Sequence, residues 1–253
     1  MDLQDRSVPG PLFEVVDGQE RYRGLPVVRT SIALGGHTFQ LAVLEDAADL
    51  LDHPDYARRF LEDNMAPYGV ELWPSAVMLA GHVLAGEPGA GRSALELGCG
   101  LGLVAMAATL HGWRVLATDH EETALQFGRY HSELNGIAVA GWERLDWRQP
   151  PGGQRFDRIF AADVLYEGVN HAPILQCIAA LLAPSGEALI ADPRRGVADR
   201  FEMLAVEHGF AVEVVPACAA GPNGKDVQGR IFVLRPAGGP GHLGGPGPLD
   251  LGD

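Results

Sequence analysis

Four stretches of this 253-residue chain put acidic or aromatic side chains where an apolar run hands over to a helical pattern. The first is Ala94-Leu95-Glu96-Leu97-Gly98-Cys99-Gly100-Leu101-Gly102-Leu103, with one acid, three alternate glycines and an alanine-rich segment behind them. Glycines so placed permit a tight turn and close approach of backbone to a ligand, and the following helix offers its positive N-terminus. Asp119 follows Gly98 by 21 positions, near the ~20 expected of a carboxylate that hydrogen-bonds ribose hydroxyls. It also precedes a helix, so a capping role is compatible with the same residue. Asp146-Trp147 and Asp163-Val164-Leu165-Tyr166 complete the set. A dinucleotide fingerprint would read G-x-G-x-x-G. Here the spacing is G-x-G-x-G, with Glu96 two positions ahead of the first glycine. A pyrophosphate beside that acid meets repulsion, whereas a sulfonium is attracted, so charge favours S-adenosylmethionine over NAD.

The elements that must hold these residues alternate. Strands are expected at 93–97, 114–118, 141–145, 156–161 and 187–191, with helices at 102–111, 121–135, 172–182 and 197–208. Gly136 stands where a helix-ending glycine belongs. Such alternation implies a doubly wound, Rossmann-like α/β fold with a mainly parallel sheet, whose ligand lies outside the carboxyl ends of the strands. Runs 211–215 and 230–234, separated by a polar loop at 219–229, add an antiparallel edge hairpin. Upstream, 27–34 and 37–44 flank Gly35-Gly36 and read as a hairpin with a primed turn. Residues 1–24 are polar and turn-rich with weak strand potential at 13–16, and 44–60 is acidic and helical in part, with Pro54 in a first turn. Trp73-Pro74-Ser75-Ala76 opens a further helix, Pro74 suiting its first turn. Three regions result: an N-terminal hairpin and helical extension (1–70) on the substrate side, a catalytic domain (71–235), and a tail (236–253). That tail holds seven Gly and four Pro, a composition expected to stay disordered.

Composition narrows the partners. Thirty-three acidic against nineteen basic residues give a net charge of −14, which repels a phosphate backbone and argues against nucleic acid. No apolar run reaches the ~18 residues of a membrane span. The acidic opening Met1-Asp2-Leu3-Gln4-Asp5 lacks the apolar core of a secretory signal, so a cytoplasmic, monomeric protein is expected. Cys99, Cys177 and Cys218 are too few and scattered for a disulfide framework or zinc site, and no metal is expected. Cys99 reads as a small residue in the turn. His120, His131 and His171 have no ligand spacing and read as surface or capping residues. Asp192-Pro193-Arg194-Arg195 reads as a solvated turn, or as a pair of arginines for a substrate carboxylate or phosphate.

Glu96-Leu97-Gly98-Cys99-Gly100-Leu101-Gly102 resembles motif I of class I S-adenosylmethionine-dependent methyltransferases. Leu72-Trp73-Pro74-Ser75-Ala76 before it, Asp146-Trp147, and the D-x-x-Y of Asp163 to Tyr166 resemble a narrower branch, the seven-strand lysine methyltransferases of methyltransferase family 16. The resemblance covers roughly residues 60 to 235. It implies a seven-stranded sheet and a protein lysine as methyl acceptor. It also implies that Trp73 lines the methionine side of the cofactor, that Gly98, Cys99 and Gly100 wrap it with backbone, and that Asp119 holds the ribose. Asp146 and Trp147 would lie by the adenine and Ala162 beside the sulfonium, while Asp163 and Tyr166 would face the acceptor. The residues alone leave three other readings open: a small-molecule methyltransferase on this fold, an NAD-dependent dehydrogenase, and a cofactor-binding module without catalysis.

Overall fold

The computed structural model of the chain describes residues 13–52, 56, 68–220 and 225–238. The expectations for Pro54 and for most of the tail fall outside those residues. At the N-terminus, β1 (Phe13–Val16), β2 (Gln19–Tyr22), β3 (Leu25–Leu34) and β4 (His37–Leu44) form an antiparallel sheet in sequence order. The Gly35-Gly36 hairpin is therefore half of a larger sheet. The segment read as turn-rich contributes two strands, because its aromatics have somewhere to go: Tyr22 is fully buried and Phe13 stacks on Tyr130 at 3.8 Å. From the other end of this sheet, Phe39 and Leu41 enter the core beneath helix α1 (Pro74–Ala85).

The second sheet carries β5 (Ser93–Leu97), β6 (Arg114–Asp119), β7 (Gly141–Arg144), β8 (Phe156–Ala162), β9 (Leu182–Asp192), β10 (Phe210–Ala220) and β11 (Asp226–Pro236). Its spatial order is β7-β6-β5-β8-β9-β11-β10, parallel except where β11 pairs with β9 and β10. Between these strands lie α2 (Leu103–Leu110), α3 (Glu122–Leu134), α4 (His171–Leu181) and α5 (Phe201–Glu207). Strands covered on both faces need continuous apolar runs, and Ala94, Leu95 and Leu97 of β5 are all fully buried. Helix α2 is buried from Leu103 through Ala108, as its apolar circumference requires.

Some boundaries differ from expectation. The edge hairpin pairs from Ala220 with Asp226, so the ends of the expected loop at 219–229, residues 219–220 and 226–229, are strand, and exposed residues there such as Asp226 and Gln228 mimic loop polarity. The helix expected over 197–208 is a 3-10 turn, Gly196–Arg200, followed by α5. Strand β9 starts at Leu182 rather than 187. What matters for function is the order of connections. The chain runs β5 to β6 to β7 in one direction, then returns to place β8 on the other side of β5. That reversal opens a crevice at the carboxyl ends of β5 and β8, where ligands of open parallel sheets bind.

Candidate active site

A cleft of about 250 Å³ lies at this reversal. The glycine turn after β5, Asp119 ending β6, and the residues after β8 all open onto it. Nine of the twelve residues singled out from sequence line it: Trp73, Gly98, Gly100, Asp119, Asp146, Trp147, Ala162, Asp163 and Tyr166.

The turn is built close. Gly98 has φ +68°, and a Cβ there would sit 3.0 Å from Val164 Cγ1 and 3.6 Å from the Trp147 ring. Gly100 has φ +50°, with the Gly69 carbonyl oxygen 3.2 Å from where its Cβ would be. Both positions need glycine for backbone conformation and for space. Asp119 fastens the turn. Its Oδ2 accepts the Gly100 N–H at 3.0 Å and its Oδ1 accepts the Glu121 N–H at 2.9 Å. The capping and binding readings of Asp119 are thus compatible, since each carboxylate oxygen keeps lone-pair capacity for a hydroxyl. Burial raises its pKa, with the two N–H groups opposing.

Three residues expected at the cofactor lie beneath the turn instead. Glu96 is 1% exposed, is held by the Ala105 backbone N–H, and has its pKa pushed well up by burial. A carboxyl so placed is not the charge that draws a cation into the cleft. That charge comes from the wall, where Asp119, Glu121, Asp146, Asp163 and Glu167 outnumber Arg148. Cys99 is buried, donates its N–H to the Thr118 carbonyl at 2.9 Å, and has a thiol pKa raised well above normal by burial, which leaves it inert. Gly102 packs under the Trp142 ring at the start of α2.

Across the crevice, Asp163 takes φ +59° just after β8 and donates its N–H to the Ala191 carbonyl at 3.0 Å. Its carboxylate is 5% exposed. Oδ1 accepts two hydrogen bonds from Arg195, from Nε at 2.9 Å and Nη2 at 2.7 Å, while Oδ2 has no partner among the described residues. The same guanidinium lies 5.6 Å from the centroid of the Trp73 ring. Arg195 is held in turn: its N–H donates to Asp192 Oδ2 at 3.2 Å, and Arg230 donates to that oxygen at 3.0 Å. In the turn after β9 Arg194 is exposed, while Arg195, although it reaches water, is engaged by Asp163 and is not free to bind a substrate anion. Its position on the strand beside β8 was the signal that it would meet Asp163.

Three aromatic rings flank this carboxylate. Tyr68 packs edge-on to Trp73 at 6.1 Å and to Tyr166 at 5.7 Å, and its carbonyl accepts the Trp73 indole N–H at 2.9 Å. Tyr68 carries no sequence signal, since it stands outside any periodic run. Burial, with Glu167 and other nearby carboxylates, pushes the Tyr166 phenol up to about 12, so it stays protonated at neutral pH. Asp146 is paired with Arg148 at 2.8 Å, which holds its carboxyl below the usual range. Two of the histidines expected as surface or capping residues are buried. His131 spans from the Leu101 carbonyl to Ala42 of β4, and His171 contacts the Leu165 carbonyl at 3.0 Å.

Residues 54–207 match the family model described as lysine methyltransferase. The chain belongs to that family. It is 31% identical over 197 residues to the protein N-terminal and lysine N-methyltransferase EFM7 of Eremothecium gossypii, covering 66% of this chain and 74% of that one. It is 33% identical over 159 residues to the protein N-lysine methyltransferase METTL21A of Mus musculus, covering 57% and 69%. Among solved structures, TrmN of Thermus thermophilus superposes with a TM-score of 0.50 at 26% identity, covering 72% of this chain and 53% of that one.

The methyl donor of this lysine methyltransferase is S-adenosylmethionine. The cleft fits it: the Cβ-free cradle at Gly98 and Gly100 receives backbone-close atoms, Asp119 retains acceptor capacity, and Trp73 and Trp147 supply flat apolar walls. No helix among the described residues is long and apolar enough to cross a membrane.

Proposed function

We propose that this chain transfers methyl groups to lysine side chains of a protein. The observation that carries the reading is the free oxygen of Asp163. A buried carboxylate with one oxygen saturated by Arg195 and the other unpartnered beside Trp73, Tyr68 and Tyr166 suits a cation that must arrive, be oriented and give up a proton. The aromatic faces favour an ammonium over a neutral polar acceptor. The names of EFM7 and METTL21A support the same substrate class.

The cofactor, when bound in this cleft, supplies an electrophilic methyl group on a sulfonium. The side chains do the rest. A lysine of ordinary pKa holds its proton at neutral pH against a deprotonation cost of roughly 4–5 kcal/mol. We assign to Asp163, whose Oδ2 is buried without a partner among the described residues, the role of accepting an N–H from the entering ammonium and, directly or through water, taking its proton. The Tyr166 phenol, being protonated, serves as a hydrogen-bonding orienter rather than a base. Gly98, Gly100, Asp119, Asp146, Trp147, Trp73 and Ala162 are assigned to the cofactor, and Asp163 and Tyr166 to the acceptor. Residues 1–70 are assigned to the substrate side. The net charge of −14 supports a protein partner over nucleic acid. Three free cysteines, with Cys218 exposed, support a reducing, cytoplasmic setting, and we take the working unit as a monomer.

The test is labelled S-adenosylmethionine with a lysate of the source organism, separated into protein and small-molecule fractions. Label on protein lysines is expected. Label confined to small molecules refutes the reading.

A further inference from the structure

A groove of about 1260 Å³, wider than the cofactor cleft, lies between the N-terminal sheet and the far edge of the large sheet. Its floor is one face of α1: Pro74, Val77, Met78 and Gly81 recur at the i, i+3, i+4, i+7 spacing of a single helical stripe. Its two walls are strand edges. Residues 30–34 of β3 line it consecutively, and so do 216–220 of β10. Side chains of a strand alternate between faces, so an unbroken run of lining residues means that the strand presents its edge. Both edges are open among the described residues. β10 pairs only with β11, and β3 pairs with β2 only through Leu25 and Pro26. Pro216 removes one donor from the β10 edge, whereas β3 has no proline beyond Pro26.

The groove leads to the active site. Its Pro74 end adjoins Trp73, and Val70, Glu71 and Leu72 in its wall directly follow Tyr68 and Gly69 of the cleft. From Pro74 to Gly81 it follows the helix for about 10 Å, the length of three extended residues. Its charge has one sign. Glu45, Asp46 and Glu71 line the end near the cleft, with no Lys or Arg among the lining residues. Burial, with Asp46 adding to it, raises the pKa of Glu71.

We propose that this groove docks the polypeptide substrate as an extended, basic segment, which adds a strand to the open edge of β3 and leads its target lysine past Glu71 into the cleft. The inference rests on the protein-lysine reading above. Strand addition supplies main-chain hydrogen bonds without demanding a side-chain sequence, and the acids select cationic neighbours of the lysine.

Cys218 provides the test, since it is exposed in the groove while Cys99 and Cys177 are buried with raised thiol pKa values. Label transfer to the protein fraction of the lysate is measured for the full chain before and after reaction with pyrene maleimide, alongside S-adenosylmethionine binding by calorimetry. A Cys218→Ser variant, in which the reagent should make no difference, controls for other sites. A second arm compares Glu45→Lys/Glu71→Lys with Glu202→Lys/Glu207→Lys, an equal charge change on α5 outside the groove. The expected result is a loss of protein label of about tenfold or more, the size of one lost anchor contact. It should appear on alkylation and in the groove pair but not in the α5 pair, with cofactor binding unchanged. Protein label that survives either groove perturbation overturns the docking proposal and leaves the lysine reading standing. No protein label from the unmodified enzyme overturns both.

Discussion

The pairing of Asp163 with Arg195 predicts an asymmetry in stability. Asp163 is the buried partner at 5% side-chain exposure, and Arg195 reaches water at 34%. Replacing Arg195 with Met leaves a carboxylate that loses two donors and cannot turn outward. Stranding one partner of a fully buried pair costs about 3–5 kcal/mol, and the partial exposure of Arg195 lowers that to about 2–4 kcal/mol. Asp163→Asn is different. The guanidinium left behind can swing into solvent, and Asn tolerates the left-handed backbone at this position, so the cost is about 1 kcal/mol or less. The double variant should then resemble Asp163→Asn, so the coupling energy equals the Arg195→Met cost, about 2–4 kcal/mol. In a chain of this size Arg195→Met should lower Tm by roughly 5–12 °C, with most of that loss recovered when Asp163→Asn is added. Thermal and urea unfolding of the four proteins measures the cycle. Equal losses from the two single variants, or simple additivity in the double, would show that Arg195 does not compensate a buried charge.

Three further outcomes follow from buried groups away from the reacting centre. Burial holds the Glu96 pKa above its unfolded value of 4.5, so its contribution to stability is present below that value and is lost as pH rises through the folded pKa. Glu96→Gln should therefore gain on the parent as pH rises from about 5 to about 9 in melts, and a constant difference would contradict the assignment. His131 has its pKa lowered from 6.5 chiefly by burial, so the unfolded chain takes up the proton first and stability falls as pH drops below 6.5. In His131→Gln that part of the pH slope should vanish, as read from melts between about pH 7.5 and about pH 5. Gly128 lies inside α3, where Ala would normally stabilise by about 1 kcal/mol, yet its Cβ would overlap the Trp142 ring. Overpacking should win, so Gly128→Ala lowers stability by about 1–3 kcal/mol in urea, and a gain would contradict the packing.

The succession of strands and helices along 93–234 and the glycine turn were legible because both rest on local rules. Glycines at 98 and 100 answer a backbone demand, and apolar runs such as 93–97 answer a burial demand, each within a few residues. What stayed hidden depended on partners distant in sequence. Arg195 looks like a turn residue until β9 is laid beside β8, which brings it to a carboxylate 32 positions upstream. His131 shows no ligand spacing because its partners are backbone groups, the Leu101 carbonyl and Ala42 of β4, and backbone leaves no mark in composition. Tyr68 carries no periodic signal because its neighbours are two other rings that meet it only in the folded chain.

Glu96 shows how a sound conclusion can rest on the wrong atom. Its charge ahead of the glycines argued for a cationic cofactor, but its carboxyl is sealed under the turn and bound to the helix that follows. The cleft is acidic all the same, because strand ends at Asp119 and Asp163 and the helix start at Glu121 deliver carboxylates to one rim. Three elements that end on the same side of a parallel sheet add their charges there whatever any single side chain does. The electrostatic preference for a cation is thus a property of the topology. One substitution at Glu96 leaves it intact, whereas neutralising Asp119 removes both a wall charge and the acceptor that fixes the Gly100 N–H.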